Sequence, residues 1–361
     1  MRNKEVCSNH TVIFLNSKKN IILILMKKMK TPRLPTILNK NIVTFLFAPF
    51  IVMVIYHGMP YVYKGVFVIK QKIERIKQPD LSWTMVNVNY TMVQGDAHLI
   101  QIKGGKTILI DAGHAEPAKN KLVSFIRNKK ISTIDSIFIS HPHLDHYGGV
   151  KSIIDEEIKV EKIYFNIPSK KNCDKEIPWG CNYDDILKTI KKLQENGVEV
   201  KTAFPNQSFD LGNDVTLNIL YAFDGINTPV GETDVNDLSL IMMLDYSGFK
   251  FLFTGDLNQK IGHYLSTVSK DLTATVIKVP HHGTEGLAPN VFFEKVNAEY
   301  ALIPSPKHLW CSERSARPRN WFKEKNVPVY VNGFHGNIEV MIKNRELKIN
   351  VDHDTEINCE L

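Results

Sequence analysis

Three histidines and one aspartate lie within six positions of one another in the segment HPHLDH, residues 141–146. His141 and His143 are two positions apart, so an extended backbone projects both side chains to the same side. Asp145 and His146 follow in a predicted turn and can direct a second pair of ligands to a nearby point. Imidazole and carboxylate groups bind zinc, iron or manganese, and two such half-sites close together form a binuclear centre. A run of surface histidines is the alternative, but this spacing directly after an apolar run favours a metal site.

Three further segments place a carboxylate or imidazole at the end of a predicted strand. Asp256 follows the apolar segment FLFTG, so its carboxylate can reach a metal ion, although an ordinary turn aspartate has the same position. His281 comes directly after TVIKVP and is predicted as a metal ligand, with the adjacent His282 contacting a ligand or the substrate. The reverse assignment stays open, because adjacent side chains diverge from an extended backbone. Asp111 ends the segment TILID, where it could simply cap the turn.

Hydrophobic periodicity and turn residues predict the elements that position these side chains. Helices are predicted over 117–130, 183–197, 258–266 and 313–324. Strands are predicted over 83–93, 97–113 (a hairpin turned at Gly104-Gly105), 136–140, 162–165, 215–220, 239–244, 250–253, 275–279, 300–303 and 327–331, with a last hairpin over 337–349. Many strands with helices outside them favour a layered α/β or α+β domain over a helical bundle.

The complete H-x-H-x-D-H motif after a strand resembles the signature of the metallo-β-lactamase superfamily, and TILIDAG, FLFTGD and IKVPHHGT resemble other strands around its metals. The resemblance implies an α+β fold, the four-layer αββα sandwich, and two divalent metal ions, zinc before manganese. Asp111 would orient a ligand histidine, and Asp256 would bridge the two ions. The metal ligands implied are His141, His143, Asp145, His146, Asp256 and His281.

Within that superfamily, the chain resembles the hydrolase domain of the DNA-uptake competence proteins called ComEC. The segments VQGDAHLIQIKGGKTILIDAG, NDLSLIMMLDYSGFKFLFTGD and IKVPHHGT have the order and spacing of blocks in that domain. The resemblance covers about residues 83–340 and does not include the multi-span channel of the uptake proteins. DNA import as such is therefore not expected of this chain.

One departure from the superfamily pattern concerns the first metal site. Most members supply a third histidine between the motif and the bridging aspartate, but no histidine lies between Tyr147 and Gly255. The remaining protein ligands would be His141, His143 and Asp256. Side chains that could substitute for the missing histidine are Asp234, Asn236, Asp237 and Ser239. ComEC-like domains share the departure, which argues against a thiolester hydrolase or a true β-lactamase and makes the site tolerant of manganese.

The amino-terminal part of the chain predicts a membrane anchor. Residues 1–41 form a basic leader, and residues 42–63 form an uncharged stretch long enough to cross a bilayer as a signal-anchor. A linker over 64–80 would join this single transmembrane helix to the hydrolase domain at 81–361. We expect a single-pass protein with an extracytoplasmic catalytic domain; a buried amphipathic helix is the alternative. Four of the five cysteines fall in that outer part and could form two disulfides, with Cys173 and Cys181 flanking a short loop.

The charge distribution weakens a nucleic-acid role for the domain. The whole chain has a formal charge of +7 and residues 1–41 carry +8, so the remaining residues sum to −1. Tight polyanion binding usually rests on several basic contacts.

The resemblance implies hydrolysis by a hydroxide that bridges the metals, with Asp145, through a water, or His282 protonating the leaving group. A phosphodiester is the expected bond, in single-stranded DNA or in a smaller phosphoester, and no protein partner can be inferred. The alternatives are a non-nuclease hydrolase of a cell-surface ester and a degenerate metal-binding module without catalysis. A di-iron redox scaffold is disfavoured, because no room remains for a flavin-binding domain.

Overall fold

The computed structural model describes residues 78–90, 92–176, 180–223 and 228–359. The predicted leader at 1–41, the predicted membrane segment at 42–63 and nearly all of the linker lie outside the described residues. Among the described residues, no helix is both long and apolar enough to span a bilayer.

The described residues form two β-sheets. The strands are β1 (Leu81–Met85), β2 (His98–Ile102), β3 (Thr107–Ile110), β4 (Thr133–Ile139), β5 (Lys159–Phe165), β6 (Glu199–Lys201), β7 (Ser208–Gly212), β8 (Val215–Tyr221), β9 (Ile241–Tyr246), β10 (Phe249–Phe253), β11 (Val276–Lys278), β12 (Tyr300–Ile303), β13 (Val329–Val331), β14 (Ile338–Lys343) and β15 (Glu346–Val351). One sheet has the order β15-β14-β1-β2-β3-β4-β5-β6 and the other has the order β13-β12-β11-β10-β9-β8-β7. Strands β3 to β6 run parallel, as do β10 to β13.

Helices connect the strands of both sheets. They are α1 (Ala115–Pro117), α2 (Val123–Asn128), α3 (Leu144–Tyr147), α4 (Val150–Asp155), α5 (Lys170–Asp174), α6 (Tyr183–Glu195), α7 (Gln259–Val268), α8 (Asn290–Val296), α9 (Lys307–Trp310), α10 (Ala316–Glu324) and α11 (Asn332–His335). In α6 the side chain of Asn182 accepts a hydrogen bond from the backbone N–H of Asp185 at 3.0 Å, which caps the first turn. Ile186 and Leu193 on one face of α6 are buried against the first sheet.

Three apolar clusters hold the layers together. The central cluster joins the inner faces of the two sheets, where the Trp83 ring lies 4.6 Å from the Phe253 ring. A second cluster packs α2, α4 and α6 on the first sheet, and a third packs α7, α8 and α10 on the second. The order helix, sheet, sheet, helix is that of a two-sheet sandwich with helices on its outer faces.

Most predicted strands occur in the structure, but the strand predicted over 83–93 is wrong beyond Met85. The N–H of Val86 still bonds to the carbonyl of Ala97 at 2.9 Å, and the N–H of Val88 then turns back to the carbonyl of Val86. The chain therefore leaves the sheet after β1 and returns as β2. The four outer cysteines form two disulfides, Cys173–Cys181 and Cys311–Cys359.

Candidate metal centre

The carboxyl ends of parallel strands from both sheets meet at one edge of the sandwich, where ligand sites of open α/β sheets also lie. Asp111 follows β3 and the HPHLDH segment follows β4, both in the first sheet. Asp256 follows β10 and His282 follows β11, both in the second. Residues far apart in the chain thus reach one point.

Among the described residues, two groups of side chains could hold an ion: Asp96, Asp111 and His146 form one, and four side chains form the other. The ligand atoms of Asp145, His146, Asp256 and His282 all lie within 4.8 Å of one another. The Nε2 atom of His282 lies 3.2 Å from an oxygen of Asp145 and 3.2 Å from Oδ2 of Asp256. The Nε2 atoms of His146 and His282 are buried and make no hydrogen bond. Buried imidazole nitrogens that face carboxylates without a bonding partner fit a divalent cation.

His141 and His143 form a second half-site beside this group. Nε2 of His141 faces Nδ1 of His143 at 3.1 Å and lies 4.0 Å from Oδ2 of Asp256. That same oxygen is 3.4 Å from Nε2 of His146. One carboxylate oxygen therefore stands between the two half-sites, as a shared ligand would.

Each of the four histidines is held by its other ring nitrogen, the arrangement that fixes the orientation of metal-binding histidines. The contacts are His141 Nδ1 with Ser140 Oγ at 3.1 Å, His143 Nε2 with Glu176 at 2.7 Å, His146 Nδ1 with Asp111 at 2.8 Å and His282 Nδ1 with the Pro304 carbonyl at 3.0 Å. Asp111 also accepts hydrogen bonds from the backbone N–H and the hydroxyl of Ser140, each at 2.7 Å. It lies behind the site, against His146.

Lys278, at the end of β11, is buried among carboxylates. Its Nζ forms an ion pair with the fully buried Asp96 and lies 3.3 Å from Oδ1 of Asp256. Because Oδ1 of Asp256 faces Lys278, the other oxygen faces the histidines. Burial lowers the pKa of Lys278, but Asp96 and Asp256 outweigh it and raise the pKa above its ordinary value.

The carboxylates and histidines of the four-residue group shift one another's pKa. Burial raises the pKa of Asp256, but the charges of His282, His146 and Lys278 outweigh it and hold the pKa well below its usual range. The pKa of Asp145 is lowered in the same way, against burial, by His146 and His282. Burial lowers the pKa of these two histidines, but Asp256 and the other carboxylates raise it well above the ordinary value. Without an ion, the group is a network of imidazolium and carboxylate charges.

His141 differs from those two histidines. Burial lowers its pKa well below the ordinary value, and the charges of His146 and His143 act in the same direction. Its ring is therefore neutral at pH 7.

The structure brings His282, the alternative assignment, into the four-residue group and leaves the predicted ligand His281 outside it. Both residues have left-handed backbone angles, with φ of 50° and 51°, and the centroids of their rings lie 6.4 Å apart. The Nδ1 of His281 is buried without a partner. The ligand roles themselves remain predictions.

Asp234, Asp237 and Ser239, three of the four side chains considered as substitutes for the missing histidine, have other hydrogen-bond partners, whereas Oδ1 of Asn236 is buried without one. The hydroxyl of Ser239 accepts a hydrogen bond from the backbone N–H of Asp256 at 2.9 Å. Asp237 accepts hydrogen bonds from Thr233 and from the backbone N–H of Asn258. Asp234 and Asn236 are likewise outside the group described above.

Sequence reasoning missed Asp96 and Glu176. Asp96 begins an apolar strand segment, an unusual place for a carboxylate, and this signal could have singled it out. Glu176 gives no comparable signal, because its contact with His143 depends on the course of a loop 33 residues further along the chain.

Parts of the chain are similar to known proteins. Residues 90–164 match the model of the metallo-beta-lactamase superfamily. ComE operon protein 3 of Bacillus subtilis is 20% identical over 279 residues, which are 70% of this chain and 34% of that protein. Endoribonuclease YSH1 of Candida glabrata is 26% identical over 176 residues, 47% of this chain and 22% of that protein. The chain thus spans about a third and about a fifth of these two relatives.

Among solved structures, the metallo-beta-lactamase fold protein YhfI from Bacillus subtilis aligns with a TM-score of 0.44 and 16% identity, covering 70% of this chain and 96% of that one. Unliganded yeast PDE1 aligns with a TM-score of 0.45 and 13% identity, covering 73% of this chain and all of that one.

Proposed function

Because the chain carries a hydrolase domain of the metallo-β-lactamase superfamily, we propose that it is a two-metal enzyme that cleaves a phosphodiester. The observation that carries the proposal is the position of Asp256, whose Oδ2 faces His146 and His282 on one side and His141 on the other. Its relative YSH1 is named an endoribonuclease, and RNA cleavage breaks a phosphodiester.

The residues present fit two divalent ions, zinc or manganese. His141 and His143 would hold one ion, Asp145, His146 and His282 the other, and Asp256 both. Two ions so held would make water a nucleophile near neutral pH and polarise the phosphoryl oxygen.

The chain's own residues would orient these groups and move the proton. Asp111 orients His146, and Lys278 keeps one oxygen of Asp256 away from the ions. Of the two predicted proton donors, Asp145 is better placed to exchange protons with water, because its side chain is 13% exposed and that of His282 is 1% exposed. Gln94 donates a hydrogen bond to Asp145 at 3.2 Å and would orient it.

We also propose an anchored, extracytoplasmic location. The uncharged run at 42–63 with its basic flank supports a membrane anchor. Two disulfides in the described domain support an oxidising compartment. The net charge of −1 beyond residue 41 favours a small phosphodiester over a long nucleic acid, with single-stranded DNA as the second substrate to test.

The test is metal analysis of the full-length protein together with hydrolysis of bis(p-nitrophenyl) phosphate. We expect about two ions per chain and a loss of activity of more than about 100-fold in His143→Ala and Asp256→Asn, since changes one step further from a metal already cost about 10–100-fold. His263→Ala is the matched control, because His263 is an exposed histidine on α7. Wild-type protein with two ions and no phosphodiesterase activity would contradict the proposal.

One further substrate separates the alternatives. Linear primary-alkylsulfatase of Pseudomonas sp is 30% identical over 105 residues, which are 29% of this chain and 14% of that protein, so p-nitrophenyl sulfate should be assayed beside the phosphodiester. Hydrolysis of the sulfate without hydrolysis of the phosphodiester would indicate a hydrolase of another ester instead of a phosphodiesterase. Absence of both activities in the two-metal protein would favour a binding module without catalysis.

A further inference from the structure

Glu176 contacts the outer face of the half-site that lacks a third histidine. Its Oε2 lies 2.7 Å from Nε2 of His143, on the side of the ring away from His141. A neutral imidazole carries one proton, and a carboxylate at this distance accepts it from Nε2. The lone pair then resides on Nδ1 of His143, which faces Nε2 of His141 at 3.1 Å.

Described residues on both sides of Glu176 tie it to the rest of the domain. The disulfide Cys173–Cys181 closes it, and Cys181 pairs with His143 in an antiparallel bridge. The other oxygen of Glu176 accepts a hydrogen bond from the backbone N–H of Val235 at 2.8 Å. The two oxygens of Glu176 are therefore held by different partners, one by His143 and the other by Val235.

Gly180 leaves the space in which Glu176 meets His143. A Cβ atom at position 180 would lie 2.3 Å from Oε2 of Glu176 and 3.0 Å from Nε2 of His143. The backbone at this glycine is not left-handed, so an alanine would act through this contact and not through strain.

We propose that Glu176 is a positioning residue for the His141–His143 half-site, and that the Cys173–Cys181 disulfide holds it against His143. The inference rests on the proposed metal site, but its subject is the state of His143 and not the substrate. Glu176 fixes His143 from outside, in the half-site where Ser140 fixes His141. A half-site with two histidines depends more on their orientation than one with three.

The first experiment titrates zinc into the metal-free full-length protein by calorimetry. For Glu176→Ala we expect one ion to bind about 10–100-fold more weakly, with the affinity for the other ion nearly unchanged. Glu176→Gln keeps a hydrogen-bond acceptor but loses the charge, so its zinc affinity should lie between those of the wild type and the alanine variant. Asp174→Ala is the matched control, since that exposed carboxylate ends α5, two residues before Glu176, and pairs with Lys170 instead. If Glu176→Ala weakens the binding of both ions equally, or of neither, the proposal is wrong.

The second experiment reads the tautomer of His143 in the metal-free protein by long-range ¹H–¹⁵N NMR. We expect the proton on Nε2 in the wild type and a mixture of tautomers in Glu176→Ala and Gly180→Ala. A proton on Nδ1 in the wild type, or a tautomer that Glu176→Ala leaves unchanged, refutes the inference. This experiment involves no substrate. If the protein shows these NMR changes but does not hydrolyse phosphodiesters, the result contradicts the proposed function and leaves the role of Glu176 intact.

The third experiment removes the disulfide. Cys173→Ser/Cys181→Ser should weaken the binding of the same ion that Glu176→Ala affects. Adding Glu176→Ala to this double variant should lower the zinc affinity little further. The matched control is Cys311→Ser/Cys359→Ser, which removes the other disulfide. Full metal affinity without the Cys173–Cys181 bridge would show that the bridge does not hold Glu176, and the calorimetry of Gly180→Ala would then decide on Glu176 alone.

Discussion

Lys278 shows how one buried residue can arrange the charges of the site. Its ammonium group is 1% exposed and lies between Asp96 and Asp256, which carry the negative charges that make its burial tolerable. Removing one partner of a buried pair leaves an uncompensated charge, whereas removing both can be close to neutral. This asymmetry makes the role of Lys278 testable without any substrate.

We expect Lys278→Met to lower the free energy of unfolding by about 3–5 kcal/mol, because it leaves the buried Asp96 without its cation. The double variant Asp96→Asn/Lys278→Met should recover a large part of that loss, and urea unfolding of the metal-free proteins measures both. Additive losses from the two single variants would show that Asp96 and Lys278 are not coupled.

At the scale of elements, the site depends on the close approach of two backbones beside the HPHLDH segment. Gly149 donates its N–H to the carbonyl of Gly113 at 2.7 Å, and a Cβ atom at Gly149 would lie 2.1 Å from the carbonyl oxygen of Ala112. A backbone oxygen cannot rotate away as the end of a side chain can. The alanine would displace the segment directly after β3, which contains Asp111 and Ala112.

Gly149→Ala should therefore cost about 1–3 kcal/mol of stability and also weaken zinc binding, because Asp111 holds His146. Gly197→Ala is the matched control. Position 197 has no atom within 4 Å of the added Cβ, and its positive φ of 75° costs about 1–2 kcal/mol by itself. Chemical denaturation and calorimetry should show a stability loss in both variants and weaker zinc binding in Gly149→Ala only. Equal zinc affinity in both would contradict this argument.

The strands, the helices and the HPHLDH motif could be predicted from the sequence, because each depends on a pattern of neighbouring residues. The apolar run before His141 predicts β4, and the spacing of the histidines predicts the cluster. The positions of Asp96 and Glu176 could not be predicted in the same way, because each meets its partner only after the sheets assemble. The sequence also could not predict which of His281 and His282 joins the four-residue group. The prediction assumed an extended backbone at this point, whereas both residues have left-handed backbone angles.

At the scale of the whole molecule, the site lies where the two sheets meet, and its four aspartates outnumber its cations, which are Lys278 and the imidazolium rings of His146 and His282. Four carboxylates converge there, those of Asp96, Asp111, Asp145 and Asp256. Among the described residues, Lys278 is the one buried lysine, and it lies beside them. Divalent cations bound there would reduce the excess negative charge, and an ion that binds only the folded state stabilises it. Metal content should therefore control the thermal stability of the domain as well as its activity.

Removal of the metal with a chelator should lower the melting temperature of the full-length protein. Zinc at 100 times its dissociation constant adds about 2.7 kcal/mol to the folded state, which corresponds to about 5 °C for a domain of this size. His143→Ala and Asp256→Asn should lose part or all of this gain, while His263→Ala should keep it. Differential scanning calorimetry with and without zinc measures the shift. A melting temperature that zinc leaves unchanged, in protein shown to bind two ions, would mean that the unfolded chain binds them as tightly as the folded site.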